Sequence, residues 1–311
     1  MSSIRNNIVV IMNRFDIYSF LGARLIQASA VKANRKCMYH IVDKIDRRTW
    51  PKVHSVRGQS VFVLGDLPSI PTVDDHAHQK AYIKQNEEYS VAKAVWKYFL
   101  GPFPQFDVFK SVENIWRGEA TSEEEWGLRA VLFKFTEMAE KEGMEGALAA
   151  YDAQFNKSID EVRSDLVSAY RKKIEELESE LIDIDIAFLN IDEIALEKCK
   201  LPEEWLGLNV CVADTSGINV DTGLLAHYMF DCCSGLDVLV QYRRIQLTGN
   251  TLHKYYCRGN RDCKIDLRTW PVLKGHAKAA SGECHGSEAP FADKMWLECM
   301  DEFEVDIAYV V

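Results

Sequence analysis

The chain has 311 residues, 47% hydrophobic and 27% charged, the composition of a globular protein with one large or two ordinary cores rather than of a disordered or fibrous chain. Its net charge of −10 excludes a broad non-specific nucleic-acid surface, which needs an excess of lysine and arginine, and makes any nucleotide ligand a small one. No apolar run approaches the roughly 18 residues that span a bilayer, and the first residues lack a secretory pattern, so an intracellular protein without a membrane span is expected.

In chain order, Ile8 to Met12 predicts a strand, followed by polar Asn13, Arg14 and Asp16 and a helix through Leu21, Leu25 and Ile26. Lys36 to Ile41 and Ser60 to Leu64 predict further strands, the second ending at Gly65 and Asp66, and another candidate ends at Val73, Asp74, Asp75 and His76. Helical spacing follows over 88–100, 106–116 and 126–138. The apolar repeat from Phe155 through Ile159, Val162, Leu166 and on to Leu181 predicts one long amphipathic helix that bridges two domains. Strands are then expected at 183–189, 210–212, 236–242 and 252–257, with a helix over 222–230. The exposed-patch candidate is Trp205, Leu206 and Leu208.

Strands alternating with helices imply a parallel sheet whose ligand groups gather beyond the carboxyl ends of the strands. Asp16, Asp66, Asp75 and His76 all fall just past such ends, and carboxylates with imidazole suit manganese, zinc or iron. A single acidic residue there is equally an ordinary helix N-cap. Near the C-terminus, Lys274, Gly275, His276, Ala277, Lys278, Ala279, Ala280, Ser281 and Gly282 read as a glycine-rich turn before a small-residue helix start. Such a turn lets backbone approach an anion while imidazole donates to it. The nine cysteines show no repeated CxxC pair, which favours reduced thiols. Cys257, Cys263, His276 and Cys284 fit no standard zinc spacing.

The order Asn13 to Asp16, Asp66, Val73 to His76, Asn114 to Trp116, Arg258 with Ile265 and Asp266, then the sequence G-H-A-K-A-A-S-G resembles the DHH phosphoesterase superfamily with its associated C-terminal domain. The resemblance covers nearly the whole chain. It implies an α/β fold with an N-terminal parallel-sheet domain (1–150), a connecting helix (151–182) and a smaller C-terminal α/β domain (183–311). It also implies metal ligands at Asp16, Asp66, Asp75 and His76, phosphate contacts at Arg258, Lys274, Gly275 and His276, and a cleft between the domains holding a small phosphorylated ligand.

Departures from the family pattern decide between activity and binding. Ile11 stands where the family has a strand histidine, Ala77 where it has its second motif histidine, and Asn114 where it has a carboxylate. Two divalent ions a few ångströms apart repel each other and need several carboxylates. The leading expectation is therefore a pseudoenzyme that keeps a phosphate or nucleotide site and serves as a binding or structural subunit. The alternative is an active manganese-type phosphoesterase acting on a small phosphodiester, oligonucleotide or polyphosphate with one ion. Either one divalent cation or none is expected, and a homodimer or a place in a larger complex stays open.

Overall fold

The structure, a computed structural model, describes residues 7–43, 60–64, 80–83, 90–99, 108–218, 220–286 and 289–291. They divide into two compact units: the first lies within Met1–Trp116 and Ser122–Tyr170, the second within Arg117–Thr121 and Arg171–Val311.

In the first unit, β1 (Asn7–Asn13), β2 (Lys36–Val42), β3 (Ser60–Leu64) and β4 (Lys80–Ile83) form a sheet in the order β2-β1-β3-β4, parallel throughout. Five consecutive buried residues in β1 and five in β3 explain why these runs read as solidly apolar rather than alternating. Five helices belong with this sheet: α1 (Ile17–Lys32), α2 (Val91–Phe99), α3 (Val108–Arg117), α4 (Glu123–Glu142) and α5 (Met144–Phe155). Phe20, Phe135, Tyr151 and Phe155 pack ring on ring in the core that these elements enclose. A Cβ on Gly127 of α4 would stand 1.8 Å from the Leu166 carbonyl oxygen, so two helix backbones meet there.

The helix expected to run unbroken from Phe155 is two. Phe155 closes α5 with Asn156 as its C-cap, and α6 (Ile159–Leu181) begins anew. Ser158 is the reason: its hydroxyl accepts from the Glu161 amide while Glu161 accepts from the Ser158 amide and hydroxyl, a reciprocal cap that starts a helix. The division between the units falls inside α6, after Tyr170.

The second unit holds β5 (Asp185–Asn190), α7 (Glu193–Cys199), β6 (Asn209–Asp214), α8 (Thr222–Cys232), β7 (Val238–Leu247), β8 (Asn250–Gly259), β9 (Leu273–His276) and β10 (Ala279–His285). Its sheet has the order β5-β6-β7-β8-β10-β9. Only β6 and β7 pair in parallel, with α8 as their crossover; the rest is antiparallel. The expected α/β architecture, an N-terminal parallel sheet and a second α/β unit, is thus the observed one.

The glycine-rich segment differs from expectation. It is a hairpin of β9 and β10, not the start of a helix. Its small residues admit a backbone: a Cβ on Gly282 would stand 1.9 Å from the Val272 carbonyl oxygen. Trp205 also departs from the exposed patch proposed for it. It is fully buried, edge-on against Trp270 in a core that includes Tyr255 and Phe291, while Leu206 beside it is exposed.

Candidate functional site

Asp16 occupies the turn from β1 into α1, at the carboxyl end of a parallel strand. Its carboxylate caps α1, accepting from the Tyr18 amide at 3.0 Å and from the Ser19 hydroxyl. Burial pushes its pKa above the usual carboxylate range, against the opposing pull of those hydrogen bonds. Both readings of Asp16 therefore meet in one group. It is an N-cap, and it sits where a ligand group of the parallel sheet belongs.

The preceding residues add two features that sequence patterns do not signal. Asn13 Oδ1 is buried with no hydrogen-bond partner among the described residues, an acceptor with a desolvation cost of about 1–3 kcal/mol. Phe15 has a left-handed backbone, φ 55°, costing a non-glycine residue about 1–2 kcal/mol, and the residue is 43% exposed. Arg14 is tied to Asp43 at 3.2 Å and to Glu140 at 2.7 Å, with its guanidinium carbon 5.8 Å from the Phe15 ring centroid.

Ile11 is buried in β1 between His40 of β2 and Val63 of β3, a core position. Asn114 lies in α3, where its Nδ2 donates to Glu125 Oε1 at 2.6 Å. Glu125 also completes the capping box of Ser122 at the start of α4, so the Asn114 amide ties two helices together. Next to it, buried Glu113 accepts from the amide and hydroxyl of Ser90, the residue ahead of α2. Asp66, Asp75, His76 and Ala77 lie outside the described residues.

Among the described residues no group of three or more histidine, cysteine or acidic side chains is placed to hold a metal. Asp16 and the orphaned Asn13 oxygen are the oxygen donors at the end of β1. They are hard ligands of the kind manganese or magnesium takes, but fewer than such an ion requires.

The C-terminal candidates come together through strand register. Arg258 of β8 lies opposite Ala279 of β10, which lies opposite His276 of β9; Tyr256, Ser281 and Lys274 form the neighbouring row but one. The row between them is Cys257, Ala280 and Gly275, in which Cys257 and Ala280 are buried. Because side chains alternate across a sheet, the rows of Arg258 and Lys274 share the face opposite that core row. On this face α8 covers β7, where Leu239 is buried and Gln241 donates to the Thr222 carbonyl; Arg258, next to Leu239 in register, begins the part beyond.

Gly275 has φ 131°, and a Cβ there would meet the Ala279 carbonyl at 2.8 Å, so only glycine fits the hairpin. Gly118, φ 74°, is the point where the Arg117–Thr121 segment meets Arg258: a Cβ on it would stand 2.3 Å from a guanidinium nitrogen and 3.8 Å from Ala279. Lys274 is exposed. Asp266, part of the motif order, caps a single turn and pairs with Arg268 through both carboxylate oxygens. These bonds hold its pKa below the usual carboxylate range. The eight described cysteines are free thiols; Cys257, fully buried, is pushed well above the usual thiol range by desolvation.

No family model matches the sequence, and no curated protein matches it. Among solved structures the chain is similar to a pGpG-specific phosphodiesterase, PggH from Vibrio cholerae, at 12% identity and TM-score 0.47, covering 93% of this chain and 95% of that one. An exopolyphosphatase-related protein from Bacteroides fragilis is similar at 8% identity and TM-score 0.42, with 94% and 91% covered. Exonuclease RecJ bound to manganese is similar at 11% and 0.38, with 97% and 92% covered. These neighbours are DHH-family proteins. Among the described residues no helix is long and apolar enough to cross a membrane.

Proposed function

We propose that this chain is a DHH-type phosphoesterase-like protein that binds a small phosphorylated ligand without turning it over, acting as a binding or structural subunit. The observation that carries the reading is the pair of rows on the β8-β10-β9 surface, which brings Arg258 of β8 and Lys274 and position 276 of β9 onto one face. Two cations on a sheet surface with a glycine hairpin between them suit a phosphate, which rewards charge and close backbone approach. The loss of turnover is supported in the first unit, where Ile11 is core and the Asn114 amide is spent on Glu125. A metal, if held, would draw on Asp16 with Asp66, Asp75 and His76 as oxygen and nitrogen donors.

The test is calorimetry with inorganic phosphate and ribose 5-phosphate, with and without manganese. Arg258→Ala should weaken binding by about tenfold or more, the scale of a charge-assisted contact. Wild-type protein that binds neither ligand would refute the reading. Manganese-dependent hydrolysis of a short oligonucleotide or of polyphosphate, abolished in Asp66→Ala, would establish the active phosphoesterase instead.

A further inference from the structure

Two tyrosines follow one another on β8 and serve opposite faces of the sheet. Tyr255 is wholly buried, its ring packed among those of Tyr242, Trp270 and Phe291. Tyr256 belongs to the other face, where positions 252, 254, 256 and 258 are partly exposed while 253, 255 and 257 are buried. Among the described residues its side chain has neither a hydrogen bond nor a ring partner.

Register sets what surrounds it. Its row runs from Gln241 of β7, buried and tied to the Thr222 carbonyl at the start of α8, through Tyr256 to Ser281 of β10 and Lys274 of β9, both exposed. Tyr256 therefore stands where the part of the face under α8 gives way to the part open to solvent. Beside Tyr256 and Arg258, β10 contributes Ser281 and Ala279, side chains small enough to leave a shallow floor next to the ring. Arg258 and Lys254 flank Tyr256 two places away along β8, and Arg243 lies opposite Lys254. Glu283, 3.8 Å from the Lys254 ammonium, is the one carboxylate in these three rows. They form a cationic patch on a chain of net charge −10.

We infer that Tyr256 is the surface on which a nucleobase stacks, so that the ligand held by Arg258 and Lys274 is a nucleotide. This rests on the phosphate-binding reading above. Positions two apart on a strand are about 7 Å from each other, a span that one nucleotide covers between its base and its phosphate. An aromatic side chain on an open sheet face, with cations around it, is the arrangement by which sheets bind unpaired bases, and such stacking is tolerant of base identity. A sugar phosphate or bare phosphate satisfies the cations and makes no use of the ring. An apolar peptide covers the ring and leaves the cations unmatched.

The experiment compares AMP with ribose 5-phosphate by calorimetry on the full chain, for wild type, Tyr256→Leu and Tyr256→Trp. Wild type should bind AMP about tenfold more tightly than ribose 5-phosphate, the effect expected of one stacked base. Tyr256→Leu, which keeps an apolar side chain without a π face, should bring the two ligands to nearly equal affinity, the loss falling on AMP. Tyr256→Trp should keep or widen the preference, and AMP should quench the emission of the added indole where ribose 5-phosphate does not. Equal binding of the two ligands by wild type overturns the stacking role and leaves the phosphate reading standing, whereas binding of neither removes both. A Tyr256→Leu protein that still prefers AMP puts the base elsewhere, and one that loses both ligands alike shows a structural Tyr256; either overturns the proposal. If Tyr256→Leu does not fold, the Tyr256→Trp emission decides: no quenching by bound AMP overturns it.

Discussion

The two sheets present their candidate residues in opposite ways. In the first unit two of the candidates are engaged by the fold itself: Asp16, in the turn beyond β1, caps α1, and Asn114, in α3, holds Glu125. In the mixed sheet Arg258 and Lys274 stand on the strands, on the face opposite the buried Cys257 and Ala280, with Gly118 against the Arg258 guanidinium. A residue that caps a helix is kept by stability whatever its chemistry. The cations on the strand face are therefore where the proposed ligand is tested most directly.

The largest test of this contrast removes each sheet's support separately. Gly282→Ala drives a methyl into the Val272 carbonyl and Gly127→Ala into the Leu166 carbonyl, and each should cost about 3 kcal/mol or prevent folding, at the upper end of overpacking effects. Hydrogen exchange should then show lost protection confined to β8–β10 in the first case and to α4 and α6 in the second; loss in both units from one change would mean that they do not behave as separate cores.

A smaller effect is expected at the junction of α5 and α6. Ser158→Ala removes a reciprocal cap and should lower stability by about 1 kcal/mol in urea unfolding, with no change in phosphate binding. If it is neutral, the helix break has another cause.

Acid should act on the second sheet through His253. It is buried, its Nδ1 is 2.6 Å from the Tyr242 hydroxyl, and burial followed by nearby Arg244 lowers its pKa from 6.5. A depressed folded pKa means that the unfolded chain takes up the proton first. The contribution is therefore complete above about 6.5 and declines as pH falls toward the folded value. Replacing His253 with Gln should flatten that decline in a pH series of melting curves.

The smallest effect is at Asp16, whose raised pKa has the opposite sign: ionising it in place costs stability, so its favourable contribution is present below 3.8 and lost as pH rises. Asp16→Asn keeps a capping acceptor and should raise the melting temperature slightly at pH 7 and not at pH 3. A fall at pH 7 would show that the charge itself supports α1.

Much of the first sheet was legible in the sequence because buried parallel strands write themselves as unbroken apolar runs, as at Ile8 to Met12 and Ser60 to Leu64. The break between α5 and α6 was not, because Phe155 and Ile159 keep helical spacing across Ser158 and periodicity is blind to a cap. The phosphate-side residues were legible as a set but not as an arrangement. Arg258 and Lys274 reach one face only through the register of β10, the strand between them, and the alanines that suggested a helix are the small residues of a strand. Phe15 has no mark in the sequence, since an exposed aromatic carries no pattern; only its backbone angle sets it apart.

The segment Arg117–Thr121 belongs by its contacts to the second unit, although the chain on either side of it belongs to the first. This has a consequence for the order of synthesis. Gly118 leaves the ribosome long before Arg258, the residue it will lie against, so the second unit reaches its final form only when an early piece of chain is recovered by a late one. A fragment beginning at Arg171 would contain every strand of that sheet and still lack the glycine that lies against the Arg258 guanidinium in the whole protein.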